Sequence, residues 1–565
     1  MNYKSELAQL LGGALPLPVS ELEEMLEIPP DAEMGDYALP CFKLAKTMRM
    51  APPKIAADLL EKFQKPLWIS KVEIVGGYLN FFVDRSFFAQ NTLSKVKEQQ
   101  ERYGSSAIGA GRAITIDYSS INIAKPFHIG HLSSTAIGHA LYNIYNFLGF
   151  RCIGINHLGD WGTQFGKLIA AYKRWGNKED VEQRSIQALL DLYVRFHEEA
   201  KKEPSLDDEG RAWFKKIEDG DAEALSIFNW FKELTLKEVS KVYDLLGIHF
   251  DSYAGESFYN DKMQPVIDTL REKNLLEESD GAQIVRLDDY DLPPCLILRS
   301  DGATLYATRD LAAAFYRKKT YDFYKNLYVV AYQQNLHFRQ LFKVLELMGA
   351  DFAKDCVHVA FGMVSLADGT ISTREGRVVF LEDVLRSAIQ KTRQVIQEKN
   401  PDLADKDTVA KQVGVGAVVF SVLSNSRIKD ITFDLDRLLN FDGETGPYVQ
   451  YTHARACSLL RRAAGAYSTA PDYSALCCPQ AFAVLRLIEE FPGGIQKAAE
   501  KYEPSMITRL IVSLAQAFNK FYYDIRILDE QNPASTSARL ELVDATRTVL
   551  KIGLGLIGID APNRM

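Results

Sequence analysis

The sequence predicts an α/β fold built on a parallel sheet, preceded by a smaller α/β unit and followed by an all-helical region. Three observations predict it. A strand–helix–strand unit runs from "AITIDYS" (113–119) to "FRCIGINHLGD" (150–160), and parallel strands need such a crossover. An earlier stretch, "VEIVGGYLNFFV" (72–83), reads as two strands meeting at Gly76 and Gly77. From about residue 381 onward the chain reads as almost wholly helical.

Taken in order, residues 1–108 form the small α/β unit. "MAPPKIAADLLEKF" (50–63) opens a helix with prolines in its first turn, where the missing N–H costs nothing. The loop "YGSSAIGAGR" (103–112) marks a boundary. Residues 109–385 form the main α/β domain. Its opening strand is rich in β-branched residues, and Ile137, Leu141, Ile144 and Leu148 follow at helical spacing, with Gly149 where a helix stops. Residues 173–245 are charged, helical in period and free of strand signals, and read as an insertion. Alternating strands and helices return from "AQIVRL" (282–287) through "CLILRSDGATLYATRD", "NLYVVAYQQNLHF" and "HVAFGMVSLADGT". Residues 386–440 read as a helical connector and 441–565 as a helical domain, with an irregular break at "NFDGETGPY" (440–448).

A chain of 565 residues is too long for one core, and three or four domains are expected. Its 47% hydrophobic and 25% charged residues are ordinary for a soluble globular protein. The net charge of -8 argues against a uniformly basic nucleic-acid coat, though a local basic patch binds phosphate on an acidic protein as well. "MNYKSELAQLLGG" lacks the basic and apolar regions of a secretory signal, and no apolar run is long enough to span a membrane. Seven scattered cysteines contain no CxxC pair, so no zinc or redox site is expected and the thiols read as reduced. A cytoplasmic location follows as the expectation.

The chemistry concentrates in "SSINIAKPFHIGHLSS" (119–134), where a strand gives way to a helix. A helix start presents unpaired N–H groups and partial positive charge. Gly130 permits close approach of a ligand, His128 and His131 offer hydrogen bonds, and Lys125 adds a full charge. Together they suit a triphosphate attacked at its α-phosphate. Two histidines three apart are, alone, as readily surface or core residues; metal ligation lacks a further ligand nearby. Asp117 ends the first strand, an element depleted in aspartate, and Asp310 lies four residues beyond Tyr306, on one helical face. Asp310 read singly is a helix cap and Tyr306 core packing. Towards the C-terminus, Arg455, Arg461 and Arg462 recur beside Tyr448, Tyr451 and His453, and "FNKFYYDIRIL" offers Phe521, Tyr522 and Arg526. Aromatics beside arginines fit splayed single-stranded bases, and equally an amphipathic helix with a solvated face. "GLGLIG" (553–558) matches a dinucleotide fingerprint literally, but no strand–helix–strand unit follows, so it reads as a helix end. "GTQFGK" (162–167) imitates a phosphate loop but is one residue short and lacks the following Ser/Thr, so it carries no phosphate-loop reading.

"HIGH" (128–131), between strand and helix, resembles the ATP-binding signature of class I aminoacyl-tRNA synthetases. The longer "DYSSINIAKPFHIGHLSSTAIG" is similar to that of the arginyl members, as are "LGDWGTQFG" (158–166), "SDGATLYATRDLAAA" (300–314) and "QQNLHF" (333–338). "YVQYTHARACSLLRR" (448–462) resembles the family's helical anticodon-binding domain, and "GDYALPCFKLAK" and "GGYLNFF" its extra N-terminal domain. The resemblance implies a Rossmann-like catalytic domain over 109–385 and an anticodon-binding domain over 441–565. It implies an enzyme joining arginine to tRNA(Arg) with ATP and substrate-borne Mg²⁺, without a protein-bound metal, and a monomer is expected.

The resemblance also implies site residues. Lys125, Phe127, His128, Gly130 and His131 meet ATP. Ser372, Thr373 and Arg374, in "DGTISTREGRVVFLEDVL" (368–385), stand where the class carries its lysine-bearing KMSKS loop; that stretch alone reads as a polar turn. Arginyl enzymes lacking the second lysine of that loop carry one just upstream of HIGH, the place of Lys125. Asp117, Ser119, Tyr306, Asp310 and Gln334 line the arginine pocket, with Asn122 and His128 at its amino and carboxylate ends. A carboxylate fork matches the planar guanidinium, and an ammonium leaves acceptors unpaired. Tyr78 and Asn80 meet the tRNA elbow; Tyr448, Tyr451, His453, Arg455, Phe521 and Arg526 form the anticodon platform. Two positions depart from the family pattern: Ile121 replaces a proline, which bears on a turn, and Ser133 replaces an arginine, removing a charge.

Overall fold

The computed structural model describes residues 3–300, 304, 306–366, 379–433, 443–463 and 469–565. They fall into two compact units, one of residues 1–100, 459–489 and 517–546, the other of 101–458, 490–516 and 547–565.

In the first unit, β1 (Tyr37–Pro40), β2 (Ile69–Val75) and β3 (Tyr78–Val83) form an antiparallel sheet in the order β1-β3-β2. The hairpin turns at Gly76, whose φ of +60° suits glycine. Helix Pro52–Lys62 carries proline in its first turn, and Asp84 caps helix Arg85–Gln99 by accepting from the Phe87 N–H. Tyr3 stacks on Phe88 and meets Trp68 edge-on, closing this core. Lys95 and Thr92 both reach Glu489.

The second unit contains, in chain order, β4 (Ala113–Asp117), β5 (Arg151–Ile155), β6 (Leu276–Ser279), β7 (Ala282–Val285), β8 (Cys295–Leu298), β9 (Lys325–Tyr328), β10 (Cys356–His358), β11 (Val364–Leu366) and β12 (Ile431–Phe433). The parallel sheet runs β10-β9-β4-β5. Helix Leu132–Phe147 makes the β4–β5 crossover, and Gly149, at φ +81°, ends it. β4 is buried throughout, as a central parallel strand must be. "AQIV" and "CLIL" do not extend this sheet. They form a separate antiparallel sheet in the order β6-β7-β8, in which the turn at Asp280 and Gly281, both at positive φ, folds β7 back on β6 and β8 pairs with β7. The charged insertion is helical, from Lys178–Arg184 to Ala222–Leu246.

The described C-terminal residues form helices Gly446–Ala463, Pro479–Glu500, Ser505–Asp524 and Pro533–Leu556. "GLGLIG" ends the last of these, with Gly558 at φ +72°.

Candidate active site

β4 lies between β5, reached by the Leu132–Phe147 crossover, and β9, reached by a much later one. Strand connections therefore part at its C-terminal end, where open α/β sheets bind ligands. Asp117 is the last residue there, in register with Tyr328 of β9. The chain then passes through three non-glycine residues at positive φ: Ser119 (67°), Ser120 (44°) and Ala124 (58°). Such backbone persists only where its surroundings determine it. The Ser119 N–H donates to Ser134 Oγ (2.9 Å), and its hydroxyl pairs with Tyr243 (2.8 Å) and accepts from Thr135 (2.9 Å). The Ala124 N–H donates to Thr235 Oγ1 (2.9 Å). Ile123 and Ile121 exchange backbone bonds with Gly159, where an added Cβ would lie 2.3 Å from Asn122 Oδ1. Glycine in "LGD" thus makes room for the Asn122 side chain, which faces solvent.

The HIGH segment folds into a short 3₁₀ turn, Ile129–His131, leading into helix Leu132–Phe147. The Gly130 N–H donates to His128 Nδ1 (3.1 Å), and the His128 N–H donates to His131 Nδ1 (3.2 Å). A nitrogen that accepts carries no proton, so the His128 ring is held as its Nε2–H tautomer, while His131 Nδ1 also lies 3.3 Å from His128 O and its tautomer follows which of the two bonds forms. Burial, with the nearby Lys125 charge, lowers the His128 pKa to about 4. Burial, with His128 and Lys125, lowers that of His131 to about 3. Both imidazoles are neutral near pH 7, and His128 presents a fixed N–H. Lys125 lies over the Tyr193 ring of the insertion, 5.9 Å from its centre. Phe127 is buried against Tyr243 and His131.

The segment 379–381 pairs with this turn: the Ile129 N–H donates to Val379 O (3.1 Å) and the Leu381 N–H to Phe127 O (2.9 Å). β11, ending at Leu366, lies beside the same turn. Ser372, Thr373 and Arg374 fall between these two anchors and lie outside the described residues.

Helix Tyr306–Tyr321 brings the acidic group. Asp310 Oδ2 meets His337 Nε2 at 2.6 Å. Burial would raise the Asp310 carboxyl, but the His337 bond and charge hold it below its usual range. Reciprocally, burial lowers His337, but Asp310 holds it above the usual imidazole value. Glu256 stands near Arg309, Asp310 and Asp160, and burial lifts its pKa to about 7 against the pull of Arg309. Tyr306 is 62% exposed, and its hydroxyl is raised by burial and by the neighbouring Glu256. Gln334 is exposed at the end of the turn Tyr332–Gln334 preceding His337's helix. Asp160 is buried and satisfied by Lys232 (2.6 Å) and Ser257.

Several sequence-predicted residues are buried or already hydrogen-bonded within the chain. Ser119 is buried with its hydroxyl already bonded to Tyr243 and Thr135. Asp117 is engaged by Arg317 (2.6 Å) and Ser120 (2.7 Å). Asn80 and Phe521 are 4% and 0% exposed, and so are core residues. His453 is fully buried, with Nδ1 3.0 Å from Pro562 O, and burial lowers its pKa to about 4. None of these three rings or amides presents a stacking face to solvent. Tyr451 does, at 42% exposure, with Arg455 over its ring at 4.9 Å. Arg526 is exposed and donates to Leu528 O (3.1 Å). Ile121 is buried, and Ser133 is buried with its hydroxyl unpartnered. Among the described residues no cluster of three or more His, Cys, Asp or Glu could hold a metal, and no helix is long and apolar enough to cross a membrane.

A family model described as tRNA synthetases class I (R), catalytic domain, matches residues 92–435. Others match 449–565, as a DALR anticodon binding domain, and 1–83, as an arginyl tRNA synthetase N terminal domain. An arginine–tRNA ligase of Halothermothrix orenii is 54% identical, covering 100% of both chains, and that of Clostridioides difficile is 57% identical, covering 96% of both. The chain belongs to the arginyl-tRNA synthetase family. The arginyl-tRNA synthetase structure from Thermus thermophilus superposes with a TM-score of 0.81 at 25% identity, covering 100% of this chain and 99% of that one. The Plasmodium falciparum structure superposes with 0.77 at 22% identity, over 96% and 94%, and shares the fold. Three residues that the structure places around Asp117 and Asp310 carried no expectation from sequence: Glu256, His337 and Arg317. His337 was visible three residues beyond Gln334 on one helical face. Glu256 and Arg317 carried no local signal, since only the tertiary fold brings Arg317 to Asp117 and Glu256 near Asp310.

Proposed function

We propose that this chain is an arginine–tRNA ligase that activates L-arginine with ATP and charges tRNA(Arg). The observation that carries the reading is the pair of neutral histidines at a helix start, on the same sheet end as the Tyr306–Asp310–Glu256 group. ATP, bringing its Mg²⁺, lies with its phosphates on the His128 and His131 rings, the Gly130 backbone and Lys125. Phe127 buttresses the turn, and Ser372, Thr373 and Arg374 complete the phosphate contacts. The arginine guanidinium enters beside Tyr306, Asp310, Gln334 and Glu256, while Asn122 and His128 hold its amino and carboxylate ends. The substrate carboxylate oxygen attacks the α-phosphorus, the bond to the β-phosphate oxygen breaks, and pyrophosphate leaves. The terminal adenosine 2′-hydroxyl of tRNA then attacks the arginyl carbonyl, displacing AMP. No covalent enzyme intermediate is needed, and rate comes from positioning and fixed charge.

Tyr451 and Arg455, in the region matching the anticodon-binding model, read single-stranded bases together with Tyr448, and Arg526 is a further tRNA contact. Tyr78, on the β2–β3 hairpin, meets the tRNA body. The protein works as a soluble cytoplasmic monomer. ATP–pyrophosphate exchange across the amino acids, with and without tRNA, tests the activity. Arginine must support exchange far better than lysine, and total tRNA must accept radiolabelled arginine; exchange with another amino acid instead would overturn the assignment.

A further inference from the structure

The end of β4 holds a guanidinium that belongs to the chain itself. Arg317 is 1% exposed, and its Nη2 donates to Asp117 Oδ2 at 2.6 Å. Its guanidinium carbon lies 5.3 Å from the centre of the Tyr328 ring. Asp117 and Tyr328 are register partners at the C-terminal ends of β4 and β9. Arg317 therefore covers the point where a substrate side chain would enter between these strands. The other carboxylate oxygen is also engaged, accepting from the Ser120 hydroxyl at 2.7 Å. A second guanidinium at Asp117 would meet a like charge held next to it.

Asp310 and Arg317 lie seven residues apart, two turns along the same face of helix Tyr306–Tyr321. Asp310 is paired instead with His337 and is a quarter exposed. One helix thus brings a positive end to Asp117 and a negative end to the slot. Building on the proposed arginine-activating function, we infer that Arg317 is a positioning residue. It withdraws Asp117 from recognition of the substrate guanidinium and clamps that carboxylate to Ser120, so fixing the left-handed Ser119–Ser120 turn that leads to Asn122 and HIGH. Side-chain selection rests on Tyr306, Asp310 and Glu256. Asp117 acts through the loop.

The test is a kcat-against-KM comparison by arginine-dependent ATP–pyrophosphate exchange with tRNA present. The variants are Asp117→Asn, Arg317→Gln, the two combined, and Asp310→Asn. Misplacing the loop lowers kcat at least about tenfold in Asp117→Asn and Arg317→Gln, while KM for arginine stays within about threefold. The double variant loses no more than the worse single one, because both remove the same clamp. Asp310→Asn instead raises KM for arginine about 100-fold. The inference is overturned if Asp117→Asn raises KM for arginine as Asp310→Asn does, or if Arg317→Gln changes neither parameter. Should Arg317→Gln fail to fold, the paired replacement Asp117→Leu with Arg317→Met keeps the volume without a lone buried charge and is scored on the same split. Exchange by the unaltered chain in the same assay reports on the functional reading separately; if another amino acid supports exchange, it takes arginine's place in the KM comparison.

Discussion

Replacing Lys125 with alanine should slow adenylate formation far more than it weakens arginine binding. Lys125 lies close enough for its charge to depress both His128 and His131. Its ammonium rests over Tyr193 rather than beside the acidic group around Asp310. A positioned donor at developing charge is worth about 10²–10³ in kcat, or about 2.7–4 kcal/mol. That loss should fall on the rate of ATP–pyrophosphate exchange at saturating ATP and arginine, with KM for arginine within about threefold of the unaltered chain. A second signature follows from the electrostatics. Without the lysine charge, the His128 pKa rises from about 4 towards the ordinary imidazole value, so the acid limb of the exchange profile moves to higher pH. Lys125→Arg retains charge but not shape and should fall between. Comparable losses in arginine binding and in exchange rate, or a loss under about tenfold with no movement of the acid limb, would refute the phosphate role.

Stability should fall on acidification because the two HIGH histidines are held neutral. Their folded pKa values, about 4 and about 3, lie below the unfolded value near 6.5, so the unfolded chain binds more protons as pH drops. The contribution is complete above about pH 6.5 and shrinks below it, by roughly 1–2 kcal/mol per ring at pH 5; urea midpoints at pH 7.5 and 5 read this, and a flatter curve is expected for His128→Asn. Gly159→Ala should displace Asn122, whose Oδ1 would lie 2.3 Å from the new Cβ. Overpacking of about 1–3 kcal/mol and a lowered kcat of exchange follow, measured by melting and by exchange kinetics. Glu256→Gln should weaken arginine binding at pH 8 more than at pH 6, because the carboxyl titrates at about 7 and only its ionised form attracts the guanidinium; a pH-independent loss would remove Glu256 from the slot.

The phosphate half of the site was legible because it is local. Strand end, turn, two histidines and helix start follow within fifteen residues, and the capping bonds of His128 and His131 close inside that segment. The β2–β3 hairpin and the helix stop at Gly149 were legible for the same reason: a turn residue dictates each. The amino-acid half was only partly so. Asp310 stood out by its spacing from Tyr306, but its partner His337 arrives from another helix, Glu256 from the segment after the insertion, and Arg317 from two turns further along. Strand type also misled where sheet membership was concerned. Four-residue apolar runs such as "AQIV" look alike in parallel and antiparallel sheets, and only the tight turn at Asp280–Gly281 decides between them. Aromatics in the C-terminal helices were equally ambiguous. Phe521 and Tyr451 have the same chemistry and neighbouring arginines, yet one is core and the other surface, a difference fixed by helix rotation against partners distant in sequence.

Neutral histidines at the helix start carry a consequence for how the proposed reaction gains rate. A pair of imidazoliums would attract ATP strongly before reaction, and binding spent on the ground state does not lower the barrier. A neutral N–H held in place by backbone bonds to Nδ1 attracts a resting phosphate oxygen more weakly and strengthens as charge accumulates on it. The backbone pays the orientation cost at folding, through Gly130 N–H to His128 and His128 N–H to His131. Lys125 then has two effects that agree: it supplies a full charge at this turn and adds to the burial that keeps both rings unprotonated. Replacing His128 by asparagine keeps a donor but loses the fixed tautomer, so the loss should appear in kcat, with KM for ATP little changed. A loss confined to KM for ATP would mean that the ring binds the resting nucleotide and contributes nothing further at the transition state.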